Sequence, residues 1–259
     1  MTYNKIGKLL IVETRVVGFF SNVNVIFTAL QRLSKIGFKG ENVYVQWNNP
    51  LYQDDNANLF ERYFFKNGDK SDLTHTINAI DIGLPSGFFV DDNDDARNII
   101  NDILKSNLYF DSELYNNYKN TSVVKGRVLG VHIRGTDHTM HGQLLDIDFI
   151  MKKIDMDLDE NYANIFVATD EEKNIKLLKN RYGDKLIYNQ QITRSGDGTA
   201  IHFAGHKNKQ KLANDVMLDC ISLSLCSKII MTASNVSGFA LALNTNLIYH
   251  QIDRHLDYR

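Results

Sequence analysis

The sequence predicts an α/β protein with mostly parallel strands. Short runs rich in β-branched residues alternate with longer amphipathic stretches, and this alternation is typical of parallel sheets covered by helices. The chain has 259 residues, of which 43% are hydrophobic and 23% are charged. This length accommodates one large domain or two domains of ordinary size, and the composition is normal for a soluble globular protein.

In the first half of the chain, the pattern predicts two strands and three helices. The apolar residues of segment 22–37 recur at helical spacing, and Gly37 suits the end of a helix. The predicted strands are 8–13 and 42–47, and the predicted helices are 22–37, 56–65 and 95–106. Residues 66–93 show no clear period, so no element is predicted there.

A polar, Asn-rich segment at 112–126 predicts a domain boundary. It separates an N-terminal α/β domain, residues 1–120, from a C-terminal domain, residues 121–259. In the second half, the predicted strands are 127–133, 164–170, 185–189, 228–234 and 246–251, and the predicted helices are 171–183, 209–226 and 236–243. Strands and helices that alternate from residue 164 onward predict a Rossmann-like C-terminal domain.

Charge, cysteine content and hydropathy exclude several classes of protein. A net charge of −2 argues against a nucleic-acid partner, which usually selects a basic face. Cys220 and Cys226 do not form a CxxC pair, so a disulfide framework or cysteine metal site is not expected. No signal peptide is evident, and no apolar run approaches about 18 residues. We therefore expect no transmembrane segment and a cytoplasmic protein, or one bound peripherally at the inner face of the membrane.

Polar side chains follow several of the predicted strands at the point where each strand ends. His132, Arg134 and Asp137 follow the first strand of the second half, and segment 18–22 follows the first strand of the chain. The later strands are followed by Thr169, Asp170 and Glu171, and by Ser234, Asn235 and Ser237. Ligands of doubly wound sheets bind beyond the carboxyl ends of the strands, where helix N-termini favour anions.

Arg134 indicates what kind of ligand this is. A guanidinium directly beyond a buried strand needs a fixed anionic partner, which is either an acidic side chain or a phosphate. Polar clusters at three consecutive strand ends favour a ligand that carries phosphate. Asp219 lies in an otherwise apolar helix, where a carboxylate requires a partner or a function.

The common motifs for phosphate and metal binding are absent. The sequence contains neither GxxxxGK[ST] nor a GxGxxG after the first strand, so a P-loop or a nicotinamide dinucleotide is not predicted. His202 and His206 are four residues apart, but Gly205 lies between them and no HExxH pattern is present. We therefore expect no metal site.

Four motifs follow one another along the chain. They are ETRVVGFFSNVNVIFTAL with VYVQW (13–30 and 43–47), HIRGTD (132–137), FVATDEE (166–172), and SGDGTAIH with NDVMLDCISLSLCSKIIMTASNVS (195–202 and 214–237). In this order they resemble the metal-independent fucosyltransferases of the GT-B type, whose HxRRxD element is similar to HIRGTD. The resemblance covers about residues 125–245, with a weaker match at the start. It implies two Rossmann-like domains with the nucleotide-binding domain C-terminal.

The resemblance also implies roles for individual residues. Arg134 would contact the β-phosphate of a GDP-sugar, and His132 would lie at the ribose or the guanine. Ser234 and Asn235 would hold the phosphates, and segment 18–22 would close over the donor. The donor-binding positions are Gly18, Asn22, His132, Arg134, Asp137, Asp170, Asp219, Ser234, Asn235 and Ser237.

Two departures from the family pattern concern the chemistry. The second arginine of HxRRxD is Gly135 here, so half of the phosphate clamp is missing. The acidic residue proposed as the base in the core fucosyltransferases has no counterpart. The candidate catalytic residues are Arg134, His138 and His141, and the next candidate bases are Glu13 and Asp146.

The resemblance implies a metal-independent, inverting glycosyltransferase in bacterial polysaccharide biosynthesis. It would move a sugar, L-fucose, from a GDP-sugar to a glycan or lipid-linked oligosaccharide. No cofactor is expected. Two alternatives stay open. One is a transferase for another GDP-sugar, of the mannose or heptose type, and the other is a non-catalytic protein that binds nucleotide or glycan.

Overall fold

Two parallel β-sheets form the framework of the chain. The computed structural model describes residues 8–38, 42–64, 72–82, 101, 112–136, 146–159, 161–232 and 234–252. The first sheet has the order β2-β1-β3 and contains β1 (Lys8–Glu13), β2 (Val43–Trp47) and β3 (Leu73–Asn78). Its helices are α1 (Phe19–Lys35), α2 (Leu59–Tyr63) and α3 (Ala79–Ile82). The prediction of an α/β protein with parallel sheets is confirmed.

The second sheet has five parallel strands in the order β6-β5-β4-β7-β8. Its strands are β4 (Val128–Ile133), β5 (Asn164–Thr169), β6 (Leu186–Ile187), β7 (Lys228–Thr232) and β8 (Ile248–Ile252). The remaining helices are α4 (Ser112–Thr121), α5 (Ile147–Asp157), α6 (Glu172–Tyr182), α7 (Lys209–Ser224) and α8 (Asn235–Leu243).

The strand order creates a topological switch point at the centre of the second sheet. From β4 the chain adds β5 and β6 on one side, and then β7 and β8 on the other side. Loops that leave β4 and β7 therefore diverge to opposite faces of the sheet, which opens a crevice at the carboxyl ends of these two strands. Residues 134–136 and 234–236 lie at this crevice.

One hydrophobic cluster contains residues of both sheets. Helices α1 and α8 meet within it, where the Phe239 ring lies 5.2 Å from Phe20 and 5.7 Å from Phe27 between centroids. A second cluster lies on the opposite face of the second sheet, under α5 and α6. Along β4, Leu129, Val131 and Ile133 belong to this second cluster, so the alternating His132 lies on the face shared with the first sheet.

Two segments contain elements that were not predicted from the sequence. Segment 112–126, predicted as a domain boundary, contains α4, and its Tyr118 hydroxyl donates to Asn214 Oδ1 of α7 at 3.0 Å. Segment 66–93 contains β3, whose middle residues are exposed. An exposed edge strand lacks the apolar alternation by which a strand is recognised. Of the predicted helix 95–106, only Asn101 is described, and it is helical.

Among the described helices, none combines the length and the apolar character that crossing a membrane requires.

Candidate functional site

The turn after β4 places Arg134 at the crevice. The Arg134 backbone N–H donates to Thr232 Oγ1, at the end of β7, at 3.1 Å. The Thr232 hydroxyl in turn donates to the His132 carbonyl at 3.4 Å. The backbone of Arg134 is therefore tied across the switch point, and this half-buried residue directly follows the end of β4.

Asp170 holds the other side of the same turn. This residue follows β5, and its Oδ1 accepts the Gly135 N–H at 3.0 Å. Its Oδ2 accepts the Thr136 hydroxyl at 2.7 Å and the Thr136 N–H at 3.4 Å. Three hydrogen bonds to one carboxylate fix the path of residues 135–136. Asp170 therefore positions the turn that carries Arg134.

The N-terminus of α8 forms the third side of the crevice. Ser234 is the N-cap, and its Oγ accepts the Val236 N–H at 3.2 Å. The Asn235 carboxamide accepts from Asn24 Nδ2 of α1 at 3.2 Å, so it links the two halves of the chain. The Ser237 hydroxyl is buried and donates to the carbonyls of Thr232 and Ser234. This end of α8 carries partial positive charge, which favours an anion.

A buried carboxylate lies at the end of β1, on the side of the first sheet. Glu13 Oε1 accepts from the Arg15 N–H at 2.8 Å, from Arg15 Nε at 2.9 Å and from Asn22 Nδ2 at 3.2 Å. Glu13 Oε2 is buried and accepts no hydrogen bond from the described residues. Gly18 is the N-cap of α1, and a Cβ there would enter open space. Asn22 therefore fixes Glu13 at the entrance to α1.

The structure explains why glycine follows Arg134. A Cβ at Gly135 would lie 2.6 Å from Glu171 Cδ, closer than side-chain packing permits. Glu171 is buried beside the turn, where its Oε2 lies 3.2 Å from Asn174 Nδ2 and 3.1 Å from Lys173 Nζ. The room that a second arginine would need in the family motif is therefore occupied by Glu171.

Asp219 is a buried residue of α7. Its Oδ1 accepts from Asn189 Nδ2 at 2.9 Å, and Asn189 follows β6. Burial raises the pKa of the Asp219 carboxyl to about 7, opposed by the Asn189 hydrogen bond and by Arg194, and reinforced by Asp215 and Asp170. The carboxyl is therefore uncharged over much of the acidic range.

The raised pKa of Asp219 predicts that the contribution of this carboxyl to folding stability falls as pH rises. Between about pH 4 and pH 7 the unfolded chain loses this proton while the folded chain keeps it, so the folded state loses stability on the order of 4 kcal/mol. Asp219→Asn removes the titration. We expect the free energy of unfolding of the variant in urea, relative to that of the native chain, to rise from about pH 4 to pH 7 and then to stay constant. Parallel pH profiles would contradict this, and the exposed Asp184→Asn provides the control.

The other predicted site residues lie outside the described residues, at a helix cap or within β4. Asp137, His138 and His141 lie outside the described residues. Asp146 is exposed and caps α5, where its Oδ1 accepts the Asp148 N–H at 3.1 Å. His132 is buried near the end of β4. Within the parts of the chain that the structure describes, no three His, Cys, Asp or Glu side chains are grouped as metal ligands would be.

Some residues of the site were missed from the sequence. The hydroxyls of Thr136 and Thr232 form hydrogen bonds that fix the turn of Arg134. The Asn189 side chain donates a hydrogen bond to Asp219. Asn189 ends a predicted strand, so the strand-end rule that selected Asp170 would also have selected it. The hydrogen bond between Asn24 and Asn235 joins the two halves of the chain, and no local sequence pattern predicts it.

Comparison with models of known protein families finds no match to this chain. Comparison with curated proteins finds no match either.

Comparison with solved structures finds the same fold in fucosyltransferases. The α-1,6-fucosyltransferase NodZ soaked with GDP-fucose superposes with a TM-score of 0.57 at 12% identity, over 96% of each chain. NodZ from Bradyrhizobium also gives 0.57 at 12% identity, over 95% of each chain. POFUT1 in complex with GDP gives 0.53 at 10% identity, over 95% of this chain and 98% of the other. At these identities the similarity establishes the fold.

Proposed function

We propose that this chain is a glycosyltransferase that moves a sugar, L-fucose, from a GDP-sugar to a glycan acceptor without a metal ion. The observation that carries the proposal is the placement of Arg134 at the switch point, between Asp170 and the N-terminus of α8. The fold shared with a GDP-fucose-soaked fucosyltransferase supports it. Residues 121–259 would hold the donor, and residues 1–120 would face the acceptor.

The proposed role of Arg134 is to stabilise the leaving group. In a single displacement, the acceptor oxygen bonds to the anomeric carbon while the bond from that carbon to the β-phosphate oxygen breaks. Negative charge then develops on the diphosphate. A guanidinium forms charge-assisted hydrogen bonds to such an anion, and the first-turn N–H groups of α8 add to them. These groups would supply the stabilisation that a divalent metal gives elsewhere.

The reaction also requires a group that takes the proton of the acceptor hydroxyl. Of the four candidate bases, His138 and His141 lie outside the described residues, and Asp146 is exposed and caps a helix. Glu13 is buried, with Oε1 fixed by Arg15 and Asn22 and with Oε2 accepting no hydrogen bond from the described residues. We assign Glu13 as the base among the described candidates.

The same geometry supports a proposed donor site. Arg134 and Ser234 would face the diphosphate, and His132 would lie on the nucleoside side of β4, on the sheet face shared with the first half. Asp170 and Asp219 would support the donor-binding residues rather than contact the donor. The Asp170 carboxylate already accepts a hydrogen bond from the turn, and the Asp219 carboxyl accepts one from Asn189. Ser237 would support the start of α8.

A thermal-shift screen of nucleotides and nucleotide sugars tests the proposal. A ligand at a hundredfold excess over its Kd stabilises the folded state by about 2.7 kcal/mol. We expect GDP and GDP-fucose to raise the Tm equally with and without EDTA, and UDP to leave it unchanged. A preference for UDP, or dependence on a metal, would overturn the proposal. GDP-mannose as the better ligand would reassign the sugar, and binding without transfer would indicate a non-catalytic protein.

A further inference from the structure

Glu13 and Trp47 lie side by side on the first sheet. The two residues are direct partners in the parallel register of β1 and β2. Two positions earlier in each strand, Ile11 and Val45 belong to the hydrophobic cluster that also contains Trp47 and much of α1. Side chains two positions apart in a strand point to the same face of the sheet. The side chains of Glu13 and Trp47 therefore share the face that α1 covers.

The start of α1 contacts both residues. The Phe19 ring centroid lies 4.9 Å from that of Trp47, and Asn22 Nδ2 donates to Glu13 Oε1 at 3.2 Å. Residues three positions apart are neighbours on one side of a helix, so Phe19 and Asn22 lie next to each other. These contacts place the Glu13 carboxylate and the Trp47 indole in neighbouring positions beneath the first turn of α1.

Three buried side chains each have one polar atom without a hydrogen-bond partner among the described residues. These atoms are two acceptors, Glu13 Oε2 and Asn22 Oδ1, and one donor, Trp47 Nε1. Glu13 is 1% exposed, and Asn22 and Trp47 are 0% exposed. Buried polar groups normally find partners, and a buried water typically makes about three hydrogen bonds. One water that donates twice and accepts once would satisfy all three atoms.

The position of the indole is fixed independently of Glu13. The Trp47 backbone N–H donates to Asn58 Oδ1 at 3.0 Å. Its ring stacks on Phe64 at 6.5 Å between centroids, in addition to the contact with Phe19. A donor that is held in this way loses little conformational entropy when it binds a water, and it can in turn orient what that water contacts.

We propose that one water molecule binds between Glu13, Asn22 and Trp47, and that Trp47 is a positioning residue for Glu13. Oε1 of this carboxylate is already held by Arg15 and Asn22. The water would hold Oε2 in the same way, so that both oxygens of the proposed base have fixed positions. The positioning role rests on the proposed transferase function, whereas the water site does not.

NMR of the indole group tests the water site directly. Trp47 is the only tryptophan of the chain, so labelling with ¹⁵N-tryptophan gives one indole signal. We expect the indole proton to show cross-relaxation at the water frequency. This signal should persist in Tyr52→Phe and in Tyr63→Phe, whose rings pack on Phe19 as Trp47 does. Its persistence would exclude these hydroxyl protons as the source.

A pair of glutamate variants tests whether Glu13 shares this water. We expect the indole ¹H and ¹⁵N shifts to change in Glu13→Gln, because the water would then face an amide instead of a carboxylate. Glu113→Gln is the matched control, since Glu113 is an exposed residue in the first turn of α4, and it should leave both shifts unchanged.

Trp47→Phe tests the positioning role, because it keeps an aromatic ring and removes the indole N–H. We expect kcat for sugar transfer to fall about tenfold while KM for GDP-fucose stays within about twofold, since the donor site is not altered. Tyr52→Phe also removes one polar group from a ring that packs on Phe19, and it should retain the native kcat. The Tm of each variant shows whether it is folded.

The outcomes separate this proposal from the proposed function. Absence of the water signal at the indole, or an indole signal that does not respond to Glu13→Gln, overturns the water site. Native kcat in a folded Trp47→Phe variant overturns the positioning role. If the native chain transfers no sugar while the indole responds to water and to Glu13→Gln, the transferase function fails and the water site stands.

Discussion

Arg134→Ala is expected to lower kcat/KM for sugar transfer by roughly 100- to 1,000-fold, the range found when one donor to a developing anion is removed. The guanidinium would stabilise the leaving diphosphate in place of a metal ion, and the alanine variant would lose that positive charge. The fold should persist, because the turn is held by the Arg134 backbone N–H and by Asp170 rather than by the guanidinium. Steady-state kinetics with GDP-fucose, together with the Tm, measure both effects.

The control for this experiment lies at the other end of the same strand. Arg127 immediately precedes β4, is exposed and pairs with Asp159 at 3.5 Å. Its replacement by alanine changes the net charge by the same amount, and it should leave kcat/KM within about twofold, because surface pairs contribute little. Arg134→Lys should retain part of the activity, because it keeps the charge but loses the bidentate geometry. Native activity in Arg134→Ala would rule out the phosphate assignment.

The second large effect is expected for Asp170→Ala, which removes the acceptor of three hydrogen bonds from residues 135–136. We expect the free energy of unfolding to fall by about 1–3 kcal/mol and GDP affinity to fall by about tenfold or more. Both follow from one cause, since the turn that presents Arg134 loses its anchor. Urea unfolding and calorimetry with GDP measure them.

The Asp184→Ala variant is a control that separates the specific role of the Asp170 carboxylate from the loss of one negative charge. Asp184 is fully exposed at the far end of α6 and contacts Lys179 at 3.3 Å. Asp184→Ala should change neither the stability nor the GDP affinity by a measurable amount. If Asp170→Ala weakens the fold but binds GDP with native affinity, then the turn does not position the phosphate-binding group, and the site must be built from other residues.

The Arg134→Ala and Asp170→Ala variants both test the turn that follows β4. The switch point brings Arg134, Thr232 and Asp170 together from three neighbouring strands, and each strand supplies one side of the turn. Since hydrogen bonds hold the backbone that carries Arg134, the proposed phosphate-binding residue, little reorganisation of this turn would be required when charge develops. The Asp219 carboxyl lies behind this arrangement, and burial raises its pKa to about 7. It would therefore add little negative charge near the phosphates of the proposed donor at acidic pH.

Much of the fold was predictable from local sequence. The apolar runs of β1, β4, β5 and β7 identify buried parallel strands, since both faces of such strands are covered. Gly183 ends α6 with a φ of +56°, where other residues are strained. The polar clusters after these strands were predictable for the same reason, because parallel strands collect their carboxyl ends on one edge. Arg134, Asp170 and Ser234 were found in this way.

The sequence by itself determined the strands other than β3, most of the helices and the residues at the strand ends, because burial leaves a periodic apolar signal in these elements. The tertiary structure alone decided that α4 packs on α7, that Glu171 occupies the space beside Gly135, and that Tyr52 meets His202. Such contacts join residues that are distant in the chain, and no local period encodes which of them become neighbours. They depend on the order of the strands and on the packing of the two sheets around α1 and α8.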